Sequence, residues 1–237
     1  MKNKELYLTS FIGSKNIGKC LEIVSEIEKR VEQEFQNITI NHLKNTKIEI
    51  CKGCKLCVRC GRCPISDDVD EIKESLLKSN IIIFSTPVYV KNVSGLFKNL
   101  LDRLLSWYHT MPLSGKIGIV VICTYNTGVD DVAKYLYEVL SSLGITIISF
   151  IVYQDIKKTN IDAQINQLIN TLYKIFYYDK TIYCSEITEN MFKAYNTVYR
   201  NMVQNNSINY ELSVWVQKGY INYDSLDEYL SAQRQIK

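Results

Sequence analysis

The sequence predicts an α/β fold, a doubly wound parallel sheet of five strands with a helical C-terminal extension. Short apolar runs, typical of buried parallel strands, alternate with segments whose apolar residues recur every three or four positions, as in amphipathic helices. The alternation continues through roughly the first three-quarters of the 237 residues and then stops. Five strands, each followed by a crossover, indicate a sheet with helices on both faces.

The first two strands are predicted at Glu5–Ile12 and Ile38–Leu43. The helix between them has apolar residues at helical spacing, namely Ile17, Leu21, Val24, Ile27, Val31 and Phe35. After the second strand we expect a cysteine-rich loop, residues 51–63, and then a helix capped by Asp67. The apolar face of that helix is predicted to consist of Val69, Ile72, Leu76 and Leu77.

The three later strands are predicted at Ile81–Ser85, Ile117–Cys123 and Ile145–Tyr153. Their helices are marked by apolar residues at helical spacing: Leu96, Leu100, Leu101, Leu104 and Leu105; Val132, Leu136, Val139, Leu140 and Leu143; Ile161, Ile165, Leu168, Leu172 and Ile175. We expect the flavodoxin-like strand order 2-1-3-4-5, which gathers ligands at the carboxyl ends of the strands. Because no GxGxxG follows the first strand, a dinucleotide-binding Rossmann fold is disfavoured.

Residues 1–179 are predicted to form the α/β domain, and residues 180–237 a helical extension that begins with a helix over Glu186–Asn205. The end of the chain is rich in aromatic residues: Tyr210, Trp215, Tyr220, Tyr223 and Tyr229. Because this composition is too apolar for a free tail, the extension is expected to pack on the domain or on a partner subunit. We therefore expect a homodimer or larger homo-oligomer, with the extension in the interface.

The bulk composition indicates an enzyme-sized chain with a large core. The net charge is only +3, and basic and acidic residues are interspersed, so no nucleic-acid surface is predicted. The longest apolar runs have the length of strands and are far shorter than a membrane span. The first residues do not resemble a secretory signal. The sequence therefore predicts a cytoplasmic protein that binds neither nucleic acid nor membrane.

Five of the eight cysteines form a tract, CKGCKLCVRCGRCP: Cys51, Cys54, Cys57, Cys60 and Cys63. Disulfide scaffolds are usually short and secreted, which does not fit this chain. The spacing is similar to the ferredoxin run C-x2-C-x2-C-x3-C-P, whose thiolates hold a [4Fe–4S] cluster, although the last gap here is longer and contains Cys60. Zinc usually takes two separated CxxC knuckles. Three alternatives stay open: a cluster, reduced structural or redox thiols, and zinc.

Three loops follow the carboxyl ends of neighbouring strands and should meet at one crevice. The first, Gly13–Cys20, leads into a helix N-terminus that suits a phosphate group. The second contains the stiff turn Thr86–Tyr89, after which Gly95 is expected to permit a close backbone approach. The third, Thr124–Gly128, is polar. Each loop alone also fits an ordinary turn, but their coincidence favours a site for a phosphorylated planar ring.

In these segments the chain resembles the NADPH-dependent FMN reductase family, and in particular its iron–sulfur flavoprotein branch. The resemblance is carried by three segments, GSKN, CKGCKLC…GRCPISDDVDEI and SNIIIFSTPVYVKNVSGLFKNLLDRL, and covers roughly residues 5–153. A fourth segment, YELSVWVQKGYI, resembles the C-terminal region of longer members.

The resemblance implies FMN as a cofactor and assigns residues to each part of its site. The phosphate loop would comprise Ser14, Asn16, Gly18, Lys19 and Cys20. The turn behind the isoalloxazine ring would comprise Pro87, Val88, Tyr89 and Val90. The loop on the other side of the ring would comprise Thr124, Tyr125, Asn126 and Gly128. The resemblance also implies Cys51, Cys54, Cys57 and Cys63 as ligands of a [4Fe–4S] cluster.

Departures from the family pattern predict weaker FMN binding. The phosphate loop of the family reads close to GSPRxxGNT, whereas here Asn16 stands at the arginine position and Cys20 at the final threonine position. Lys15 or Lys19 is the candidate to compensate. The glycine-rich sequence after the fourth strand is reduced to Gly128. We therefore expect an FMN affinity below the family norm.

The predicted function is a flavin-dependent oxidoreductase that transfers electrons from NAD(P)H or ferredoxin to an unidentified acceptor, with a [4Fe–4S] cluster as a possible relay. Hydride transfer to a flavin needs no acid–base side chain, so no catalytic residue is predicted. The only histidines, His42 and His109, are expected at the surface or at helix ends. The alternative is a non-catalytic electron carrier, or a thiol or metal sensor, on the same scaffold with weak or no FMN binding.

Overall fold

A parallel sheet of five strands, in the order β2-β1-β3-β4-β5, forms the centre of the protein. This computed structural model describes residues 5–14, 18–178 and 184–235. The strands are β1 (Leu6–Ile12), β2 (Ile38–Leu43), β3 (Ile81–Pro87), β4 (Ile117–Thr124) and β5 (Thr146–Gln154). The predicted fold class and strand order are confirmed.

The register of the strands aligns their carboxyl ends at one edge of the sheet. Ile12 at the end of β1 pairs with Ser85, and Pro87 at the end of β3 pairs with Cys123. All eight residues of β4 are buried, as expected for a central strand covered on both faces. The three candidate loops therefore leave the sheet side by side.

Helices cover both faces of the sheet. Helices α1 (Lys19–Glu34) and α7 (Asp162–Tyr177) pack on one face. The other face is covered by α3 (Val69–Lys78), α4 (Gly95–Arg103) and α6 (Val129–Ser142). Two short helices complete the domain, α2 (Leu56–Cys60) and α5 (Leu105–Tyr108). The two apolar cores lie between the sheet and these layers.

Several local predictions were wrong. The cysteine tract is not a plain loop, because α2 lies inside it, and the helix after β3 is divided at Leu104 into α4 and α5. The N-cap of α3 is Asp68 and not Asp67, and Leu77 on that helix is exposed. An added Cβ at Gly95 would meet no described protein atom within 4 Å, so the close approach expected there stays a prediction. The exposed Leu77 has a clear cause, since helical spacing does not report which side chains a neighbouring element covers.

The C-terminal extension packs on the domain, which was the first of the two predicted alternatives. It consists of α8 (Glu186–Gln204), α9 (Tyr210–Lys218), a 3-10 turn (Tyr220–Asn222) and α10 (Leu226–Gln235). Trp215 is fully buried among aromatic residues of the extension, and its Nε1–H donates to the carbonyl of His109 at 2.9 Å. The hydroxyl of Tyr220 donates to the carbonyl of Met111 at 3.1 Å.

The predicted boundary between residues 179 and 180 lies outside the described residues. The predicted dimer stays a prediction. Much of the aromatic surface that suggested it is buried within the chain itself. No helix in the described ranges combines the length and the apolar character that a bilayer crossing requires.

Candidate functional site

The first candidate loop joins β1 to α1. Ser14, Gly18, Lys19 and Cys20 are described, whereas Asn16 lies outside the described residues, as does Lys15. Gly18 is the N-cap of α1, with an extended backbone, and no side chain among the described residues caps this helix. The N–H groups of its first turn are therefore available to an anion, and the predicted phosphate loop stays a prediction.

Two side chains of this loop are already engaged elsewhere. Lys19 Nζ lies 2.6 Å from Glu22 Oε2 and 5.0 Å from the centre of the Tyr153 ring. The Cys20 side chain is buried in the core, and its hydrogen bond, together with burial, raises the pKa of the neighbouring Cys123 thiol. Cys20 can therefore serve the loop through its backbone N–H, and Lys19 is not an unpaired cation.

A buried serine connects the first two loops. Ser94 Oγ donates to the carbonyl of Gly13 and accepts from Phe97 N at 3.1 Å, which caps α4. Ser94 N donates to Thr86 Oγ1 at 3.0 Å. Gly13 is the position that requires a glycine, because an added Cβ would lie 2.5 Å from the Ser85 carbonyl oxygen. Our sequence reasoning missed Ser94, although a serine at the start of a helix is a common N-cap signal.

The second loop presents apolar side chains at the edge of the sheet. Val88 N donates to the Cys123 carbonyl at 2.8 Å, which extends the pairing of β3 and β4 beyond Pro87. Tyr89 and Asn92 exchange two backbone hydrogen bonds of 2.9 Å, so that Val90 and Lys91 form the centre of a tight turn. Val90 has φ 48°, a left-handed conformation that is unfavourable for a β-branched residue. Its side chain is 100% exposed, and that of Tyr89 is 56% exposed.

The third loop packs against the second. Thr124 Oγ1 donates to the Thr127 carbonyl at 2.7 Å, and Gly128 has φ 86°. An added Cβ at Gly128 would lie 2.8 Å from the Val88 side chain. Tyr125 is 71% exposed. Within the described part of the chain, the backbone N–H groups of residues 125–128 have no hydrogen-bond acceptor. Exposed apolar groups and free N–H donors at one edge fit a planar ring with polar edges.

The cysteine tract lies beside the helices that follow β2 and β3. Cys51, Cys57 and Cys63 are half-buried, Cys54 and Cys60 are exposed, and all are free thiols. Burial raises the pKa of Cys57; the neighbouring Cys63 and Cys51 add to this rise, and Lys73 opposes it. The three half-buried thiols therefore lie near one another.

A buried ion pair holds both ends of the tract. Arg103 at the end of α4 donates to both carboxylate oxygens of Asp67, at 2.5 and 3.0 Å. Its guanidinium also donates to the carbonyls of Glu49 at 3.1 Å and Ile65 at 3.4 Å, which lie before Cys51 and after Cys63. Both charged side chains are 1% exposed. This pair closes the tract into a loop, and our sequence reasoning assigned Asp67 only a capping role.

The tract fits an anionic cluster. Arg103 Nε–H is buried and has no hydrogen-bond acceptor among the described residues. Burial lowers the pKa of Arg103, but its contacts with Asp67 and, to a smaller extent, Cys63 raise it, which indicates that Cys63 lies close to the guanidinium. A thiolate at Cys63 that ligates a cluster would be a charged acceptor for this donor.

A single zinc ion fits the tract less well. Zinc holds each thiolate at about 2.3 Å, so its ligand atoms lie close together. In the described ranges, the only three potential ligand atoms within 4.8 Å of one another belong to Cys184, Glu189 and Asp227, outside the tract.

A hollow runs between the second loop and the cysteine tract. One cavity of about 410 Å³ is lined by Cys51, Gly53 and Tyr135, with leucines of α4 and α5. A neighbouring cavity of about 280 Å³ is lined by Lys91, Asn92 and, again, Tyr135. Tyr135 on α6 therefore lines both cavities, the one beside Cys51 and the one beside Lys91 and Asn92.

Comparison with known proteins identifies the family of this chain. The sequence profile of the NADPH-dependent FMN reductases matches residues 7–155. The chain belongs to the NADPH-dependent FMN reductase family. An iron–sulfur flavoprotein of Archaeoglobus fulgidus is 26% identical to this chain over 223 residues, which cover 89% of this chain and 97% of the relative. One of Methanosarcina thermophila is 30% identical over 114 residues, which cover 47% of this chain and 59% of the relative. The predicted family and its iron–sulfur branch are confirmed.

Solved structures confirm the fold of this FMN reductase. The apo form of the NADH:FMN oxidoreductase EmoB has a TM-score of 0.53 and 16% identity, with 70% of this chain and 87% of that chain covered. The NAD(P)H:quinone oxidoreductase of Methanothermobacter marburgensis has a TM-score of 0.53 and 13% identity, with 76% and 100% covered. By its family the chain is a flavin-dependent, NAD(P)H-dependent oxidoreductase that binds FMN. The individual site residues stay predictions.

Proposed function

We propose that FMN binds in the crevice between the three loops, with its phosphate at the start of α1 and its ring against Pro87–Val90. The observation that carries this proposal is the convergence of an uncapped helix N-terminus and two packed loops at one sheet edge. The phosphate would be held by Ser14, Gly18, Lys19 and Cys20, together with Asn16 on the sequence pattern alone.

The residues of the chain position the cofactor. The first turn of α1 favours a phosphate dianion through its free N–H groups and the positive end of the helix. Tyr89 and Val90 would lie against one side of the ring, and the free N–H groups of residues 125–128, which include Tyr125, Asn126 and Gly128, would be available to its polar edges, with Thr124 holding this loop through its bond to Thr127. When bound, FMN supplies hydride acceptance and the release of electrons one at a time. No side chain of the chain is required to move a proton.

We further propose that Cys51, Cys54, Cys57 and Cys63 hold a [4Fe–4S] cluster, with Cys60 as a spare ligand. The buried donor of Arg103 and the closed loop support this assignment. Held by these thiolates, a cluster would supply one-electron chemistry beside the proposed flavin site. The proposed electron donor is NAD(P)H, which is the donor of the family. Ferredoxin is the alternative electron donor.

Anaerobic purification followed by absorbance spectroscopy and by iron, zinc and flavin analysis tests both cofactors. We expect visible flavin bands and about four irons per chain. Cys54→Ala should lose the iron and retain FMN, whereas the control Cys184→Ala should retain both. A protein that stays free of iron after anaerobic reconstitution would exclude the cluster. A colourless protein with reactive thiols would favour the sensor or carrier alternative.

Fluorescence-quenching titration with FMN tests the phosphate loop. Asn16→Arg combined with Cys20→Thr should tighten binding, since a hydrogen bond to a charged group contributes about 1.5–3 kcal/mol. Because the Cys20 side chain is buried, we expect most of the gain from Asn16→Arg alone. If neither the parent nor the double variant binds FMN at tens of micromolar, the crevice is not a flavin site.

We propose that the protein acts in the cytoplasm as a homodimer or larger homo-oligomer. Exposed apolar residues remain on the extension, among them Ile208 and Val216. Light scattering of the full chain, compared with a chain truncated near residue 179, tests the assembly and the role of the extension. A monomeric full-length chain contradicts the oligomer.

A further inference from the structure

The start of α9 lies against the cysteine tract. Tyr210, the first residue of α9, packs its ring on Gly61, which directly follows Cys60. A Cβ added at Gly61 would lie 2.4 Å from both Cε2 and Cζ of Tyr210 and 2.7 Å from its hydroxyl oxygen. Gly61 has φ 75°, a conformation that favours glycine. The backbone of the tract and the tyrosine ring are therefore in direct contact.

Neighbouring residues fix the position of this tyrosine. Asn209 caps α9 by accepting a hydrogen bond from Leu212 N at 2.7 Å. Glu211 is held from two sides, by Tyr199 of the extension at 3.1 Å and by His109 of the domain at 3.1 Å. One turn further along α9, Trp215 is fully buried. The contact is thus anchored in both parts of the protein.

Ordinary packing is the simpler explanation of a half-buried tyrosine on a glycine. Two features go beyond it. The ring covers a segment that carries proposed ligands on both sides, Cys57 and Cys63. The hydroxyl of Tyr210 makes no hydrogen bond within the described part of the chain, so its donor is free next to the Gly61 backbone, between Cys60 and Cys63 in the sequence.

We propose that Tyr210 and the N-terminal end of α9 cover the cysteine tract and control the access of solvent and oxidants to it. This inference rests on the proposed function insofar as the covered group is the cluster. The cover assigns a role to the C-terminal extension, which closes over the proposed electron-transfer centre. Solvent exposure and hydrogen bonds to the sulfur atoms also set the reduction potential of a cluster.

Thiol accessibility tests the cover without any cofactor. The iron-free protein is treated with a chromogenic disulfide reagent, and mass spectrometry identifies the cysteines that react. In Tyr210→Ala we expect the half-buried Cys57 and Cys63 to react several-fold faster, while the already exposed Cys54 and Cys60 change little; Tyr210→Phe, which keeps the ring, should match the parent. Tyr223→Ala, which removes a ring packed on Tyr229 of the same extension, is the control. Equal rates in Tyr210→Ala and the parent, with both folded by circular dichroism, would overturn the proposal.

The lifetime of the cluster in air provides a second measurement. Anaerobically reconstituted Tyr210→Ala should contain as much iron as the parent but lose it several-fold faster in air, and Tyr210→Leu serves if the alanine variant fails to fold. An iron-free parent would contradict the proposed cluster. The thiol-accessibility measurement would then test by itself whether Tyr210 covers the tract. An iron-loaded parent with the same lifetime as Tyr210→Ala would contradict the cover alone.

Discussion

At the scale of single residues, the buried ion pair of Arg103 and Asp67 determines the shape of the cysteine tract. The guanidinium joins the two ends of the tract through the carbonyls of Glu49 and Ile65. Asp67 also accepts hydrogen bonds from the backbone N–H groups of Glu49 and Val69. Burial opposes ionisation of Asp67, but Arg103 and these N–H groups outweigh it, so its pKa lies below the usual value.

Arg103→Met should lower the free energy of unfolding by about 3–5 kcal/mol, because it leaves the Asp67 carboxylate buried without its partner. Urea denaturation measures this change. The matched control is Lys98→Met on the same helix, which removes a pair with Asp102 whose side chains are about half exposed; its cost should stay below about 1 kcal/mol. We also expect the Arg103 variant to lose iron. Similar costs for the two variants would contradict the role of the buried pair.

A second prediction at this scale concerns pH. The hydrogen bond to Glu211 raises the pKa of His109 against the opposing effect of burial. Because the folded pKa lies above the unfolded value of about 6.5, the pair stabilises the protein fully below that pH and loses its effect as pH rises through the folded pKa. The stability difference between the parent and His109→Gln should therefore be largest below about pH 6.5 and shrink as the pH rises above it. A difference independent of pH would contradict this.

At the scale of elements, hydrogen bonds between the loops and the helix ends hold the candidate site in shape. Ser94 caps α4 and also binds the carbonyl of Gly13, so that one side chain positions the first loop against the second. The tight turn at Val90 and Lys91 holds side chains outward in a conformation that its residue types do not favour. Such strained turns persist only where the surrounding contacts hold them.

Ser94→Ala should lower the free energy of unfolding by about 0.5–2 kcal/mol, because the helix loses its cap, and should weaken FMN binding. Ser185 offers the matched control, since it caps α8 by accepting from Thr188 N at 3.1 Å, in the C-terminal extension. Ser185→Ala should cost a similar free energy and leave FMN affinity unchanged. Chemical denaturation and flavin titration measure the two effects. Equal FMN affinity in the two variants would contradict the role of Ser94 in the site.

At the scale of the whole molecule, the extension and the domain share apolar and polar contacts. Met111 of the domain belongs to the aromatic cluster around Trp215, and the Trp215 indole donates to the carbonyl of His109. The protein should therefore unfold as one cooperative unit.

Trp215→Ala should lower the free energy of unfolding by about 3–5 kcal/mol, because it removes a fully buried indole. Val216→Ala, at a half-exposed neighbouring position, should cost within about 0.5 kcal/mol. Circular dichroism and flavin release should report a single transition for the parent. Two separated transitions would show that the extension unfolds independently.

The sequence by itself determined the fold class, the strand order and the edge of the sheet where the candidate loops lie. The reason is that strand runs such as Ile81–Ser85 and helical spacing such as that of Val24, Ile27 and Val31 are local properties. Parallel strands joined by crossovers then place their following loops at one edge. The segments that resemble the family lie in those loops, so the candidate site followed with the fold.

Only the tertiary structure decided which side chains are free and which are engaged. Cys20 is buried beside Cys123, and Lys19 is paired with Glu22, although both lie in the predicted phosphate loop. The bond between Arg103 and Asp67 and the contact between Tyr210 and Gly61 join residues far apart in the chain. Contacts of this kind depend on how separately formed elements pack together. They cannot be predicted from the spacing of residues along the chain.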